Sequence, residues 1–91
     1  MELEQLRIFI SVAETGSFTK GAKRLYISHS TTSRAIAALE EELGVRLFER
    51  SNHISALTSA GKVLLEEAGK IIASLDALKE KVLSEKRDDE R

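Results

Sequence analysis

The residues of this sequence best suited to hydrogen bonding with a ligand form one run. It consists of small hydroxyl side chains, with one histidine inside it and an arginine at its end. The run reads Ser-His-Ser-Thr-Thr-Ser-Arg and extends from Ser28 to Arg34. A hydroxyl can donate and accept hydrogen bonds, and an arginine can donate two bonds to a guanine edge or hold a phosphate. This combination is typical of side chains that read base edges in duplex DNA. Turn and helix-cap chemistry would explain part of the run as well.

Apolar residues after the run follow helical spacing, which places the run at the start of a helix. The predicted inward face of this helix comprises Thr32, Ala35, Ile36, Leu39 and Leu43. Ser28 is a suitable N-cap, and Gly44 ends the helix. The first residues of such a helix meet base edges when it lies in the major groove. We therefore predict a recognition helix over residues 28–43, in which the bases are read by His29, Ser30, Thr31, Ser33 and Arg34.

Two helical segments precede the recognition helix. The first ends at Gly16, and its apolar face consists of Leu3, Leu6, Phe9, Ile10 and Ala13. Ser17 is an N-cap for a short second helix that ends near Tyr26, with an apolar face of Phe18, Ala22 and Leu25. Because only a few residues separate the second helix from the third, the pair predicts a helix-turn-helix.

A change of pattern after Gly44 predicts a small β-hairpin, or wing. A short apolar cluster of Val45, Leu47 and Phe48 is followed by a polar stretch over residues 49–55 and then by Ala56-Leu57-Thr58. We interpret these segments as two strands of two to four residues around a loop. Arg46 is predicted to form an ion pair with one of the glutamates at positions 40–42.

The last third of the chain predicts one long helix, capped by Thr58 or Ser59 and reaching about Glu85. Its apolar residues recur in steps of four and three, as in a heptad seam: Leu64, Ala68, Ile71, Leu75, Leu78 and Val82. A helix of this length extends about 40 Å, farther than the core of so small a domain. Residues 63–68 can pack on the chain's own domain, but residues 75–82 cannot. The seam therefore predicts a homodimer, followed by a charged, frayed tail over residues 86–91.

Charge and composition restrict the function classes. The net charge is -1, yet the segment from Thr15 to Leu39 carries four cations (Lys20, Lys23, Arg24 and Arg34) and no acid. That segment is either a local DNA-binding surface or an ordinary solvated one. The chain has no Cys and only 4% aromatic residues, which argues against a thiolate zinc site and against a base-stacking platform for single strands. No signal peptide or membrane span is evident, so we expect a cytoplasmic protein without membrane contact.

Catalysis is not indicated by any motif. The two histidines, His29 and His53, have no metal-ligand spacing with another candidate ligand, and there is no Gly-rich phosphate loop or nucleophile motif. We expect no catalytic residue, no metal and no cofactor. A protein-interaction module, in which the heptad helix docks a different partner, is the alternative to DNA binding.

In its motifs and their order the sequence resembles the N-terminal domain of LysR-type transcriptional regulators. The resemblance is close over about residues 1–65, and the helix that follows matches that family's linker helix in length and character. It rests on Leu6 to Phe9, Val12-Ala13-Glu14, Gly16-Ser17-Phe18-Thr19, Ala22, Leu25, Ser28, Ser33-Arg34, Leu39-Glu40, Leu43-Gly44-Val45-Arg46-Leu47-Phe48-Glu49-Arg50, Leu57-Thr58 and Ala60-Gly61.

The resemblance implies a mainly α fold: a winged helix-turn-helix of three helices and a two-stranded wing, followed by a long dimerisation helix. It also implies dimers of antiparallel linker helices that bind interrupted palindromes in the double-stranded DNA of promoters and regulate transcription. RNA polymerase is a further candidate partner. Contacts to the DNA backbone are expected from Ser17, Thr19 and Lys20 at the second helix, and from Arg50 and His53 at the wing.

The sequence departs from the family pattern at several positions. Family members usually carry Gln and Pro where this chain has His29 and Ser30, so their base preference does not carry over. Thr32 stands where Leu or Val is usual, and its hydroxyl is predicted to bond to the carbonyl of Ser28. The wing segment 51–55 holds no Lys or Arg, so its contacts to DNA should be weak.

The expected organisation is a winged helix-turn-helix over residues 1–58, a linker and dimerisation helix over 59–85, and the tail over 86–91. Family members normally continue into an effector-binding domain, which these 91 residues do not contain. Two interpretations stay open: the chain is a piece of a longer protein, or it is a short regulator without a ligand sensor.

Overall fold

Four helices and one hairpin make up the computed structural model, which describes the backbone of residues 1–51 and 54–89 and the side chains of residues 1–49 and 56–86. In chain order the elements are α1 (Leu3–Thr15), α2 (Phe18–Arg24), α3 (His29–Leu43), β1 (Phe48–Ser51), β2 (Ile54–Leu57) and α4 (Ser59–Asp89). The predicted class, a mainly α winged helix-turn-helix followed by a long helix, is confirmed. None of the helices in the described part of the chain is long and apolar enough to cross a membrane.

Local capping chemistry sets the helix boundaries around the helix-turn-helix. The Ser17 side chain accepts the Lys20 N–H at 3.1 Å, and the Ser28 side chain accepts the Thr31 N–H at 3.0 Å. Gly16 and Gly44 end α1 and α3 in the left-handed conformation, with φ of 70° and 68°, which glycine adopts without a steric penalty. The predicted caps and stops are therefore confirmed.

The second helix ends earlier than predicted. Its last residue is Arg24, and Leu25 is its C-cap, so Tyr26 is not helical. Tyr26 adopts a φ of 58° in the turn and is 96% exposed. The Ile27 N–H closes this turn on the carbonyl of Ala22 at 3.1 Å. The turn between α2 and α3 thus comprises only residues 25–28.

The core lies where α1, α3 and the wing meet, and it positions the start of the recognition helix. Its largest fully buried side chains are Phe9, Phe48, Ile36, Leu39, Leu47, Val12 and Thr32. The Phe9 and Phe48 rings pack with their centroids 5.4 Å apart. Leu43, predicted to face inward, is 40% exposed. It lies in the last turn of α3, where the chain turns at Gly44 into an exposed segment, so it is only partly covered.

Helices α1 and α2 approach closely because of a glycine and a serine. A Cβ at Gly21 would lie 2.9 Å from the Val12 Cα, so only glycine permits this approach without a shift. The buried Ser11 Oγ donates to the Gly21 carbonyl at 2.9 Å. This contact fixes the start of α2 against the rigid α1 helix.

The wing differs from its predicted outline. Strands β1 and β2 pair antiparallel in the register Phe48↔Leu57, Glu49↔Ala56, Arg50↔Ser55 and Ser51↔Ile54, so the polar stretch 49–55, predicted as loop, is mostly strand. Phe48 is buried and Leu57 half-buried, whereas their neighbours Glu49 and Ala56 are exposed. Positions 52 and 53 lie outside the described residues.

The junction between the wing and α4 depends on Thr58, which is the helix cap. Its Oγ1 accepts the Gly61 N–H at 3.0 Å and donates to the Arg46 carbonyl at 2.7 Å. Its own N–H donates to the Leu47 carbonyl at 3.0 Å. Of the two predicted caps, Thr58 is therefore the one observed.

The last helix is longer than predicted and runs beyond the core. It continues to Asp89 rather than ending at Glu85, so residues 86–89 of the predicted frayed tail are helical. No Gly or Pro interrupts residues 81–89, and Lys, Arg and Glu favour the helix. The molecule is 58 Å in its longest dimension and only 24 and 19 Å in the others. Leu64 and Leu65 pack against the core and Ala68 is fully buried, but Val63 is 63% exposed and is not part of that contact.

Two glycines on α4 provide a matched stability test. A Cβ at Gly61 would lie 2.2 Å from the Leu47 carbonyl oxygen, whereas a Cβ at Gly69 would meet nothing within 4 Å. We expect Gly61→Ala to destabilise the fold by about 1–3 kcal/mol through overpacking, and Gly69→Ala to stabilise it by about 0.5–1 kcal/mol through helix propensity. Urea unfolding followed by circular dichroism measures both. Equal stability of the two variants would contradict the close approach of α4 to the wing.

Candidate nucleic-acid interface

The first two turns of α3 present a cluster of polar side chains to solvent. His29, Ser30, Thr31 and Arg34 are exposed, and Ser33 is half-buried. The structure thus places all five predicted base-reading residues on one continuous segment. The Thr31 hydroxyl accepts a bond from Ser28 Oγ at 2.9 Å, which leaves its own proton available to donate.

One hydroxyl of the run has a structural role instead. Thr32 is fully buried, and its Oγ1 donates to the Ser28 carbonyl at 3.0 Å, as predicted. This bond satisfies the hydroxyl inside the core. Thr32 therefore fixes the start of α3 and is not available to a base.

His29 packs against α2. Its ring centroid lies 6.1 Å from that of Phe18, and its Nδ1 lies 3.4 Å from Ser33 Oγ. The Phe18 ring in turn packs edge-on against Phe48 at 5.6 Å. Phe18 was predicted only as part of the apolar face of α2, and its contact with His29 was not predicted. The contact joins residues eleven positions apart, and only the packing of α2 on α3 brings them together.

The residues predicted to contact the DNA backbone lie mainly at the start of α2. Thr19 and Lys20 are exposed there, and Ser17 is half-buried with its side chain accepting the Lys20 N–H. Arg50 lies in β1 opposite Ser55, but its side chain is not among the described ones, and His53 lies outside the described residues. The role of these five residues stays a prediction.

Four exposed cations lie on α2 and on the first turns of α3. Lys20, Lys23, Arg24 and Arg34 are all exposed. Arg24 pairs with Glu14 at 2.6 Å, whereas the other three form no ion pair with the described side chains. A polyanion bound at the start of α3 could therefore pair with these three cations without breaking an ion pair among the described side chains.

The acids near the end of α3 interact with other parts of the chain. Glu40 Oε2 accepts the Leu47 N–H at 2.8 Å and lies 3.6 Å from Arg46 Nε, which confirms the predicted ion pair of Arg46. Glu42 pairs with the N-terminal amine at 2.7 Å. Both acids lie in the last turns of α3, far from its N-terminus. Although the positive and negative charges of the chain nearly cancel, Arg34 lies near the start of α3 and the acids lie near its end.

A second surface lies on α4, where the predicted seam falls into two parts. Ile71, Leu78 and Val82 are 49%, 57% and 60% exposed. Leu64 and Leu75 are half-buried, but Ala68 is fully buried within its own chain. Ala68 is therefore corrected from a dimer contact to a core residue, because no area of it remains for a second chain. The other five stay a prediction.

Comparison with known proteins places this arrangement in a family. Residues 3–62 match the family model described as bacterial regulatory helix-turn-helix protein, lysR family. The chain is similar to a helix-turn-helix transcriptional regulator encoded in the ibpB-leuC intergenic region of Azotobacter vinelandii, with 46% identity over 84% of this chain and 53% of the relative. It is also similar to the regulator TfdT of Cupriavidus pinatubonensis, with 45% identity over 80% of this chain and 32% of the relative. It thus spans about half and about a third of these two proteins.

A solved structure shows the same fold. The DNA-binding domain of CbnR, crystallised as a DNA complex, superposes with a TM-score of 0.87 at 40% identity, over 92% of this chain and 97% of that one. Fold, sequence and family model agree over the helix-turn-helix and the wing. This chain belongs to the LysR family of bacterial helix-turn-helix regulators.

Proposed function

We propose that the chain binds double-stranded DNA sequence-specifically as a homodimer and thereby regulates transcription, with α3 in the major groove. The observation that carries this proposal is the cluster of exposed donors at the start of α3, next to three cations without an ion-pair partner among the described side chains. The DNA complex of the similar CbnR domain supports it. Bacterial promoters lie in the cytoplasm, which is therefore the proposed location, and RNA polymerase is a candidate partner there.

The interface divides into side chains that read bases and side chains that set the register. His29, Ser30, Thr31, Ser33 and Arg34 face the base edges, because the N-terminal turns of a recognition helix enter the groove. Ser17, Thr19 and Lys20 at the start of α2, with Arg50 and His53 of the wing, contact the backbone. Such contacts fix the orientation of the protein without reading sequence.

Dimerisation follows from the exposed apolar residues of α4. Ile71, Leu78 and Val82 recur on one helix face outside the core, and a seam of this kind is stable when a second helix covers it. Two copies related by a twofold axis present two recognition helices. The DNA site is then an interrupted palindrome with half-sites spaced by about whole turns of the duplex.

We also propose that the chain is a binding protein and not a catalyst. An open cleft of about 170 Å³ between α1, α2 and α4 is lined by Arg7, Ile10, Ser11, Arg24, Leu25 and Ile72. Its one hydroxyl, on Ser11, is occupied by the bond to the Gly21 carbonyl. This set of side chains contains no acid or base of the kind that general acid-base catalysis uses.

The salt dependence of DNA binding tests the proposal. We expect affinity for a duplex palindrome to fall steeply with salt and to exceed affinity for its single strands, because each neutralised phosphate releases counterions. Lys20→Gln should lower the slope of log affinity against log salt by about 1.8, because each of the two protomers loses one phosphate contact that contributes about 0.9. Fluorescence anisotropy over a salt series measures the slope.

The matched control is Lys79→Gln, which removes an exposed charge from α4 at a distance from α3. Its slope should equal that of the unchanged protein. Association that is insensitive to salt, with no affinity for duplex DNA, would contradict the proposal and favour a protein-interaction module.

A further inference from the structure

Ser33 contacts His29 in a way that bears on which base the histidine reads. The described hydrogen bond of the Ser33 side chain is the one to His29 Nδ1, at 3.4 Å. Other helix hydroxyls of this chain bond to a carbonyl one turn earlier: Thr15 Oγ1 donates to the Ser11 carbonyl at 2.8 Å, and Thr32 Oγ1 to the Ser28 carbonyl at 3.0 Å. Ser33 Oγ thus lies within hydrogen-bond distance of an imidazole nitrogen instead of a backbone carbonyl, and the tautomer of His29 decides which of the two atoms donates.

The partner of one imidazole nitrogen determines what the other can do. A neutral imidazole has one N–H donor and one bare nitrogen, and the bond at one nitrogen decides which is which. When the Ser33 hydroxyl donates to Nδ1, the ring proton resides on Nε2. Nε2 is the ring nitrogen farther from the backbone, so the donor is at the tip of the side chain.

Packing holds this donor in place. The His29 ring lies against Phe18, whose ring contacts the fully buried Phe48. The ring therefore contacts an aromatic side chain that is tied to the core, at a tilt of 37°, and its Nδ1 lies within hydrogen-bond distance of Ser33. Rotation of χ1 would break both contacts and a flip of χ2 would break the one to Ser33, so both contacts favour one direction of the Nε2–H bond before DNA arrives.

Building on the proposed DNA-binding function, we propose that Ser33 is a positioning residue that fixes His29 as a single hydrogen-bond donor, which reads N7 of a purine. In the major groove both adenine and guanine offer N7 as an acceptor, and cytosine offers only a donor. Thymine O4 lies beside the C5 methyl group, which crowds a flat ring. The Ser33 oxygen keeps its lone pairs for a neighbouring base.

A histidine in this role selects differently from a glutamine at the same position. A glutamine can bond to N6 and N7 of adenine at once and so selects adenine. One N–H donor cannot separate adenine from guanine through N7. We therefore expect one purine position, open to either base, in each half-site.

The test uses an operator selected from random duplexes, in which single purines are replaced by 7-deazapurines. This change replaces N7 by C–H and keeps base pairing. At the position read by His29 we expect about a 5-fold loss of affinity, the size of one net hydrogen bond, and no further loss in His29→Ala, as a mutant cycle requires. Ser33→Ala should weaken the discrimination against cytosine at that position, whereas Ser84→Ala, on an exposed part of α4, should not.

The tautomer itself is measurable in the free protein. The chain has two histidines, so His53→Gln leaves one imidazole for long-range ¹H–¹⁵N correlation spectra. We expect the Nε2–H form, and a mixture of forms after the additional change Ser33→Ala. Predominance of the Nδ1–H form, or an operator insensitive to every 7-deazapurine, would overturn the inference. Absence of salt-dependent duplex binding would instead contradict the proposed function, so the two failures are distinguishable.

Discussion

Leu78→Lys is expected to convert the dimer to a monomer and to lower affinity for a palindromic operator by about 100-fold, the size of a lost bivalent contact. Leu78 is 57% exposed in the single chain, so the lysine leaves the monomer fold intact. In the proposed dimer the same position lies in the apolar seam, where a charge without a partner is costly to bury. Sedimentation velocity measures the oligomeric state, and circular dichroism verifies that α4 remains helical.

The neighbouring residue gives the matched control. Ala77→Lys adds the same charge at an exposed position one residue away, outside the heptad seam. It should remain dimeric and bind DNA normally. If Leu78→Lys were still a dimer, α4 could not associate through the face proposed here.

Arg34→Ala is expected to lower specific DNA affinity by about 1–3 kcal/mol, or about 5- to 150-fold, if the guanidinium reads a guanine. Arg34 is exposed on α3 and forms no ion pair within the described side chains, so its loss should not destabilise the fold. The dimer should be unaffected. An anisotropy titration with the operator and with a scrambled duplex measures the specific part of the change.

Two further variants distinguish recognition of a base by Arg34 from the non-specific effect of a positive charge. Arg34→Lys keeps the charge but loses the planar pair of donors, so it should recover non-specific binding and little of the specificity. Lys23→Ala removes an exposed cation on α2 and should weaken both duplexes about equally. Unchanged operator affinity in Arg34→Ala would remove this residue from the interface.

The helix-turn-helix was predictable because its boundaries depend on local chemistry. Ser17 and Ser28 cap helices through bonds to backbone N–H groups three residues later, and Gly16 and Gly44 end helices by adopting positive φ. These effects act within one helical turn. The sequence therefore carries them regardless of the tertiary context.

Features that depend on tertiary contacts were not predictable in the same way. The polar strands of the wing are strands because Phe48 pairs with Leu57 at the edge of the core, and not because their own composition favours it. One local feature was missed as well: α2 ends at Arg24 because Tyr26 adopts a φ of 58° and the Ile27 N–H donates to the Ala22 carbonyl, a helix stop that no glycine marks. Neither contact has a periodic signature in the sequence.

The same distinction applies to the candidate site. The exposure of His29, Ser30 and Arg34 follows from the helical period, and the structure places them as predicted. The support of His29 by Phe18 depends on how α2 packs on α3. Likewise, the burial of Ala68 depends on how closely α4 lies to the core, which a heptad pattern alone does not specify.

Selection of binding sites from random duplex DNA, performed with this chain at two salt concentrations, tests the central claim most directly. A dimeric, sequence-specific DNA-binding protein predicts enrichment of an interrupted palindrome, with affinity that falls as salt rises. No enrichment by a chain that is folded and dimeric would contradict that account, and would identify α4 as the functional surface of a protein-interaction module.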